Sequence, residues 1–124
     1  MDYRRSAATI TITNLRLDAI IGCNEWERTR RQEVVINITM DFDAAAAVAA
    51  DILTATLDYR SMKKRIIASV NESSFKLLES LTAHVLGLVM ENSMVTGARV
   101  TIDKPKALRY ADSVSVTLSG TRCK

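Results

Sequence analysis

The chain has 124 residues, the length of one domain, and its 48% hydrophobic and 25% charged residues are an ordinary soluble composition. It contains no apolar run of about 18 residues and no apolar signal core after its polar start, so we expect a cytoplasmic protein without a membrane span. A net charge of +3 permits an anionic partner but does not indicate nucleic acid, and 5% aromatic residues are too few for a base-stacking surface. Two cysteines and one histidine cannot complete a closed Cys/His zinc site within one chain, so we expect no metal.

The first part of the chain predicts two long strands. Residues 8–12 alternate between apolar side chains and threonine, and the apolar phase then slips by one at Asn14, which indicates a β-bulge. Residues 23–32 form a polar connection in which glutamates lie among arginines, a pattern typical of a solvated loop. Residues 34–42 alternate regularly and predict a second strand, antiparallel to the first.

The middle of the chain predicts helices. Residues 51–56 are expected to form one short helical turn after an alanine-rich stretch. Asp58 is a candidate N-cap for a helix whose apolar side chains recur every three to four residues up to Val70. Residues 71–74 interrupt this pattern, and a second apolar helical face begins at Phe75.

The last part predicts two more strands around the only proline. Residues 98–104 alternate, and Lys104 falls in the apolar phase, where a hydrophobic residue is expected. Pro105 cannot donate to a β-ladder, so regular pairing should end there. A basic loop, residues 106–111, leads to a strand over 113–119. Two interpretations of Lys104 remain open: a snorkelling side chain that caps the core, or a functional amine held at a strand end.

This order of elements indicates an α+β domain with an antiparallel four-stranded sheet and two helices. Without a linker-like stretch, we expect a single domain over 1–124, with flexible ends at 1–6 and 120–124. The polar strand faces are mostly Thr, Ser and Asn, which fits burial against another layer or subunit, and an open sheet leaves two edges to be covered. We therefore expect a homo-oligomer.

Four short motifs occur in order along the chain. They are Gly22 followed by Glu27 and Gln32, Leu57-Asp58-Tyr59, Leu77-Leu78-Glu79, and Ile102-Asp103-Lys104-Pro105. In this order and spacing they resemble the dihydroneopterin aldolases, over about residues 8–120. Residues 24–28 also look like the aldolases, whereas residues 59–60, 75–82 and 107–115 are more similar to a sister group, the dihydroneopterin triphosphate 2′-epimerases.

The resemblance implies the tunnelling fold (T-fold), in which β-β-α-α-β-β subunits close into a β-barrel ring. It further implies a homo-octamer of two tetrameric rings with active sites between neighbouring subunits. Zinc-dependent enzymes of this fold use several histidines, and a chain with only His84 does not resemble them. In the implied site, one chain supplies Glu27, Glu79 and Lys104, and its neighbour supplies Leu57, Asp58 and Tyr59.

The implied activity is retro-aldol cleavage of 7,8-dihydroneopterin, a step of folate biosynthesis, without a cofactor. By resemblance, Lys104 moves protons and stabilises charge, Tyr59 helps reprotonate the intermediate, and Glu27 orients the side-chain hydroxyls or a relay water. Glu79 is either a surface helix glutamate or the carboxylate that accepts the two-donor edge of a pterin ring. The other substrate-binding residues implied are Leu78, Leu57 and Asp58.

The same intermediates permit epimerisation when the aldehyde stays bound and the bond re-forms on the opposite face. Because the residues implied for retro-aldol cleavage are all present, we expect cleavage first and treat the triphosphate 2′-epimerase as the alternative. The candidate phosphate contacts are Arg28, Arg30, Arg31, Arg60, Lys106 and Arg109. Outside this class, a small basic nucleic-acid-binding module or a purely structural barrel protein remain alternatives.

Overall fold

The computed structural model describes residues 2–5 and 7–123, so the parts of the predicted flexible ends at Met1, Ser6 and Lys124 lie outside the described residues. The elements in chain order are β1 (Ala8–Ile21), β2 (Gln32–Phe42), α1 (Ala45–Ala50), α2 (Tyr59–Glu72), β3 (Ser74–Phe75), α3 (Leu78–Met90), β4 (Val95–Pro105) and β5 (Ser113–Thr121). Two short 3-10 turns span Glu25–Arg28 and Leu53–Ala55. The α+β class and the predicted order of the long elements are confirmed.

The sheet has the strand order β3-β1-β2-β4-β5. Its four long strands pair antiparallel, as predicted, and the last rung of the β4–β5 ladder joins Pro105 to Ser113. The two-residue β3, which pairs parallel with Ile20 and Ile21, was not predicted. The prediction that a helix begins at Phe75 is therefore wrong: Phe75 ends β3, and α3 begins at Leu78.

The bulge in β1 is confirmed. The β1–β2 register shifts between Ile12 and Leu15, and Asn14 has a left-handed φ of 53°. The Asn14 backbone N–H donates to the side-chain oxygen of Asn37 (2.8 Å), and the Asn37 amide donates back to the Asn14 side chain (3.2 Å). Asparagine tolerates this conformation better than most residues, which explains its place in the bulge.

Both long helices cover one face of the sheet. Each presents a buried stripe at helical spacing, which confirms the predicted apolar faces. The buried residues are Met62, Ile66 and Val70 of α2, Leu81, Val85 and Val89 of α3, and Ile36, Ile38, Met40, Val100 and Ile102 of the sheet. Burying each large side chain stabilises the fold by about 1.5–3 kcal/mol. The opposite face keeps its threonines and asparagines, including the 2.8 Å hydrogen bond between Thr101 and Thr117.

The helical turn predicted within 51–56 is present as the 3-10 turn Leu53–Ala55, but helix α1 before it was not predicted. At the end of the chain, β5 continues to Thr121, and Arg122 donates to the carbonyls of Val95 (2.9 Å) and Asn92 (3.0 Å). The residues of the predicted flexible end up to 122 are thus tied to the sheet, while the domain boundaries stay a prediction. The longest helix among the described residues has 14 residues, too few to cross a bilayer.

Candidate active site

A buried ion pair lies where β4 ends. The Nζ atom of Lys104 is 2.6 Å from Oε2 of Glu27, which the 3-10 turn Glu25–Arg28 carries. The two side chains are 15% and 6% exposed. Lys104 thus keeps the inward phase predicted for it, and it directs its ammonium to a carboxylate instead of snorkelling into water. The expectation of a solvated loop is wrong for Glu27, because its side chain is buried. The ammonium of Lys104 offsets the cost of removing the carboxylate charge from water.

The Glu27 carboxylate is held by three donors. Lys104 and the Gln32 amide (3.0 Å) donate to Oε2, and the Asn24 backbone N–H (3.1 Å) donates to Oε1. Gln32 also donates to the carbonyl of Ile21 (2.8 Å), which fixes the amide between strand and carboxylate. Chiefly through the hydrogen bond from Lys104, and against the effect of burial, the pKa of Glu27 falls from 4.5 to about 2. Glu27 is therefore a carboxylate at neutral pH.

Gly22 explains the spacing of the first motif. Its φ is 128°, a backbone conformation that residues with a side chain rarely adopt, and a Cβ at this position would overlap the carboxylate of Glu27. The carboxylate therefore packs directly against the backbone at the end of β1. The Gly22 N–H donates to the carbonyl of Phe75 (3.2 Å), so the same residue ties β1 to the segment before α3.

Glu79 lies in the first turn of α3, an end that Leu77 caps without a side-chain hydrogen bond. Its side chain is exposed, and within residues 2–5 and 7–123 no hydrogen bond or ion pair engages its carboxylate. Leu78 beside it is half-buried. Because β3 precedes this turn and pairs with the end of β1, Glu79 lies at the same end of the molecule as Glu27. Both oxygens of Glu79 are thus available to donors outside the chain.

The Leu57-Asp58-Tyr59 motif begins α2. Leu57 is fully buried, whereas Tyr59 is 48% exposed and lines a cleft of about 450 Å³. Asp58 is the predicted N-cap: it accepts from the Ser61 backbone N–H (3.1 Å) and hydroxyl (2.8 Å). The bond from the Ser61 backbone is the main cause that lowers the pKa of Asp58. Its carboxylate is therefore engaged with its own helix.

One chain does not bring Tyr59 and Glu79 together. Asp58 lines a cleft with Glu91 and Asn92, at the far end of α3 from Glu79. Glu79 and Glu91 are twelve residues apart, about 18 Å along a helix axis. Glu79 and the Glu27–Lys104 pair thus lie at one end of the molecule, and Leu57, Asp58 and Tyr59 lie towards the other end of α3.

The candidate phosphate contacts divide into two groups. Arg28 donates to the carbonyls of Gly22, Ser74 and Phe75, and Arg31 donates to those of Asp18 and Asn71. These bonds use three of the five N–H donors of Arg28 and two of those of Arg31, so the hypothesis that the two arginines contact phosphate stays a prediction. The other four candidates, which have exposed side chains, are Arg30, Arg60, Lys106 and Arg109.

The basic loop has an unusual backbone. Lys106 and Tyr110 have φ values of 61° and 72°, and the guanidinium of Arg109 lies 5.6 Å from the centre of the Tyr110 ring.

His84 is engaged within the fold: it forms a hydrogen bond with Ser69 (2.6 Å), and its ring centroid lies 5.2 Å from that of Phe75. The described residues contain no group of three or more His, Cys, Asp or Glu side chains suited to hold a metal ion.

Comparisons with known proteins identify the family to which this chain is similar. The family model of dihydroneopterin aldolase (FolB) matches residues 10–119. The chain is 47% identical to a dihydroneopterin triphosphate 2′-epimerase of Pseudomonas aeruginosa over 115 residues, which cover 93% of this chain and 94% of the relative. It is 28% identical to a dihydroneopterin aldolase of Haemophilus influenzae over 109 residues, 88% of this chain and 92% of the relative.

The fold is shared with a solved structure of Escherichia coli dihydroneopterin aldolase in complex with neopterin. The TM-score is 0.86 at 26% identity, covering 91% of this chain and 98% of the other. This likeness confirms the α+β subunit of the tunnelling fold predicted from the sequence.

Proposed function

The chain belongs to the dihydroneopterin aldolase family, and on that premise we propose that it opens the C1′–C2′ bond of a 7,8-dihydroneopterin by a retro-aldol reaction. On the triphosphate the bond re-forms with inversion at C2′; on dihydroneopterin the aldehyde is released. The observation that carries this proposal is the buried pair of Lys104 and Glu27, at the same end of the molecule as the free carboxylate of Glu79.

The bond cleavage needs one proton removed and one supplied. Loss of the 2′-hydroxyl proton turns C2′ into an aldehyde carbon, and the electrons of the C1′–C2′ bond move to C1′. The C=N bond of the dihydropterin delocalises them, so the ring itself serves as the electron sink. Protonation at C1′ then gives 6-hydroxymethyl-7,8-dihydropterin and glycolaldehyde.

Lys104 and Glu27 suit the first of these steps. An ammonium has three N–H donors, and Lys104 uses one on Glu27, which leaves others for the substrate hydroxyls. As a carboxylate held by three donors, Glu27 fixes the ammonium and orients the 2′-hydroxyl and a relay water. The water takes the hydroxyl proton, and the N–H donors of Lys104 stabilise the negative charge that develops on the oxygen. Tyr59 of a neighbouring chain supplies the proton to C1′, and its half-exposed position fits a group that is completed by a second subunit.

Glu79 holds the pterin ring. Its two oxygens match the exocyclic amine and adjacent ring N–H of a pterin, and a charged, two-point hydrogen bond fixes both position and orientation. Leu78 supplies apolar surface against the ring. Leu57 of the neighbouring chain is fully buried, so it contributes by shaping the cleft that Tyr59 lines. Asp58 contributes through its cap of α2, which places Leu57 and Tyr59.

The relatives favour epimerisation as the main outcome. Identity to the epimerase is 47%, against 28% to the aldolase, over similar shares of the chain. Cleavage and epimerisation share every bond-breaking step and differ in whether the aldehyde leaves. The exposed cations Arg109, Lys106 and Arg60 are the proposed contacts for the triphosphate, which would retain a phosphorylated aldehyde in the site.

The site is completed by oligomerisation. Since Tyr59 and Glu79 lie towards opposite ends of α3, a site that contains both needs Tyr59 from another copy. We propose a cytoplasmic homo-octamer of two tetrameric rings, as the family resemblance implies. The polar sheet face, the open edge of β5 and the length of β1 that the two-residue β3 does not cover support this assembly.

One assay tests the function. The protein is incubated separately with 7,8-dihydroneopterin and with its triphosphate, and the products are separated by chromatography. A 2′-inverted triphosphate identifies the epimerase, and 6-hydroxymethyl-7,8-dihydropterin identifies the aldolase. Absence of turnover on both substrates, together with salt-dependent binding of DNA or RNA, would support the nucleic-acid-binding alternative. Assembly without any pterin binding would support a structural barrel.

A further inference from the structure

Arg28 joins two segments that are far apart in the sequence. Its Nη1 donates to the carbonyls of Gly22 (2.9 Å) and Phe75 (3.0 Å), and its Nη2 donates to the carbonyl of Ser74. The side chain is half-buried, and among the described residues no carboxylate pairs with it. Its charge is therefore stabilised by backbone carbonyl dipoles.

Few other contacts hold these segments together. The parallel pairing of β3 with β1 consists of two residue pairs, Ile20–Ser74 and Ile21–Phe75. The Gly22 N–H donates to Phe75, and the thiol of Cys23 lies 3.6 Å from the carbonyl of Lys76. A ladder of two residue pairs is weak by itself, because its hydrogen bonds must offset the conformational entropy lost when both segments become ordered. Arg28 adds three charge-assisted hydrogen bonds to it.

Each segment leads directly to one part of the proposed site. Arg28 follows Glu27 in the 3-10 turn, and Glu27 is bonded to Lys104. On the other side, Phe75 lies four residues before Glu79 in the first turn of α3. The hydrogen bonds of Arg28 therefore connect the segment that carries Glu27, the partner of Lys104, to the segment that leads to Glu79.

We infer that Arg28 is a positioning residue that sets the separation between the Glu27–Lys104 pair and Glu79; this inference rests on the proposed function. A substrate held at both places has a fixed distance between its pterin edge and its 2′-hydroxyl. A displacement of about 1 Å at a reacting group can lower the rate about 10²-fold. Arginine suits this role because its planar fork reaches several acceptors at once, which a lysine amine does not.

The experiment compares Arg28→Met and Arg28→Lys with Lys63→Met, which removes an exposed cation from the outer face of α2. Two ligands report on the separation: neopterin carries the ring and the hydroxylated side chain, and pterin carries the ring alone. We expect Arg28→Met to weaken neopterin about tenfold and pterin less than about twofold, with kcat down about 10²-fold. Arg28→Lys should restore part of the loss, and Lys63→Met should match the wild type.

A second measurement does not depend on any pterin. Hydrogen exchange by mass spectrometry should show faster exchange in residues 20–28 and 74–80 of Arg28→Met, with β2 and β4 still protected. Unchanged exchange in those two segments would overturn the inference, even if the wild type bound no pterin and the proposed function had failed. Equal weakening of neopterin and pterin, in step with a lower Tm, would also overturn it, because Arg28 would then only support the fold.

Discussion

Lys104 and Glu27 meet at 2.6 Å although 77 positions separate them in the sequence. The contact ties the end of β4 to the connection between β1 and β2, and it leaves both charged groups largely out of water. A buried ion pair contributes little net stability, but removal of one partner leaves the other charge buried and unpaired. The pair is thus better explained by its chemistry than by a contribution to folding.

Lys104→Met should abolish most turnover. Loss of a group that moves protons and stabilises developing charge lowers rates by about 10²–10⁴-fold. Because Glu27 would be left unpaired, the variant should also lose about 3–5 kcal/mol of unfolding free energy. The double variant Glu27→Gln/Lys104→Met removes that penalty, so it should regain stability without regaining activity. Wild-type kcat in a folded single variant would remove Lys104 from the mechanism.

Acid should reveal the Glu27 contribution to stability. Its pKa is about 2 in the folded chain and 4.5 ordinarily, so the folded state favours the carboxylate. The stabilisation is complete above about pH 4.5 and is lost as the pH falls towards about 2. Urea unfolding across this range should show the advantage of the wild type over Glu27→Gln shrinking on acidification. Asp58, whose pKa is also lowered, is present in both proteins and cancels. An advantage independent of pH would contradict the assignment.

The elements predicted well from the sequence are those whose pattern reflects burial. The alternation in 34–42 and the helical spacing up to Val70 follow directly from packing on one sheet face. By contrast, β3 has only two residues and therefore shows no periodic pattern. Phe75 continues the apolar spacing of α3 because its ring packs against His84 of that helix, although its backbone belongs to β3. The alanine-rich α1 has high helix propensity but buries no side chain, so it lacks an amphipathic pattern.

The site was predictable only in part for a similar reason. Lys104 has a local signal, since it occupies the apolar phase of a strand. Glu27 has none, because its burial depends on a lysine that is distant in the sequence. Arg28 was interpreted as a phosphate contact, since nothing in the sequence indicates that its partners are backbone carbonyls.

Glu79→Gln should weaken pterin binding without affecting the fold. The substitution places an amide donor against a donor on the ring, which should cost at least about 1.4 kcal/mol, or tenfold in Kd. As no described residue engages this carboxylate, the variant loses only the favourable interaction of the charge with the start of α3, about 0.3–1 kcal/mol, and Tm should fall by no more than a few degrees. Calorimetric titration with neopterin gives the affinity, and Glu72→Gln, an exposed glutamate at the end of α2, is the matched control. Equal affinities in all three proteins would exclude Glu79 from the site.

Mixing two inactive variants should test the shared site. If Tyr59 and Lys104 of one site come from different chains, unfolding and refolding Tyr59→Phe together with Lys104→Met makes rings in which some sites have both wild-type residues. Random assembly of equal amounts restores about one quarter of the sites. Activity of the mixture, against each variant refolded alone, is the measurement. No recovery despite proven mixed oligomers would mean that one chain supplies both residues.

Arg109→Ala should separate the two substrates. Arg109 and Lys106 lie within five residues of Lys104, where they can reach a tail that leaves the site beside it. Dihydroneopterin ends in a neutral hydroxyl, whereas its triphosphate offers these cations a charged partner. We therefore expect kcat/KM to fall at least about tenfold for the triphosphate and less than about twofold for dihydroneopterin. Tyr110→Ala removes the ring beneath the guanidinium and keeps the charge, so it should preserve most of the preference for triphosphate. Equal losses on both substrates, with a lower Tm, would instead mean that Arg109 only packs against Tyr110 and makes no phosphate contact.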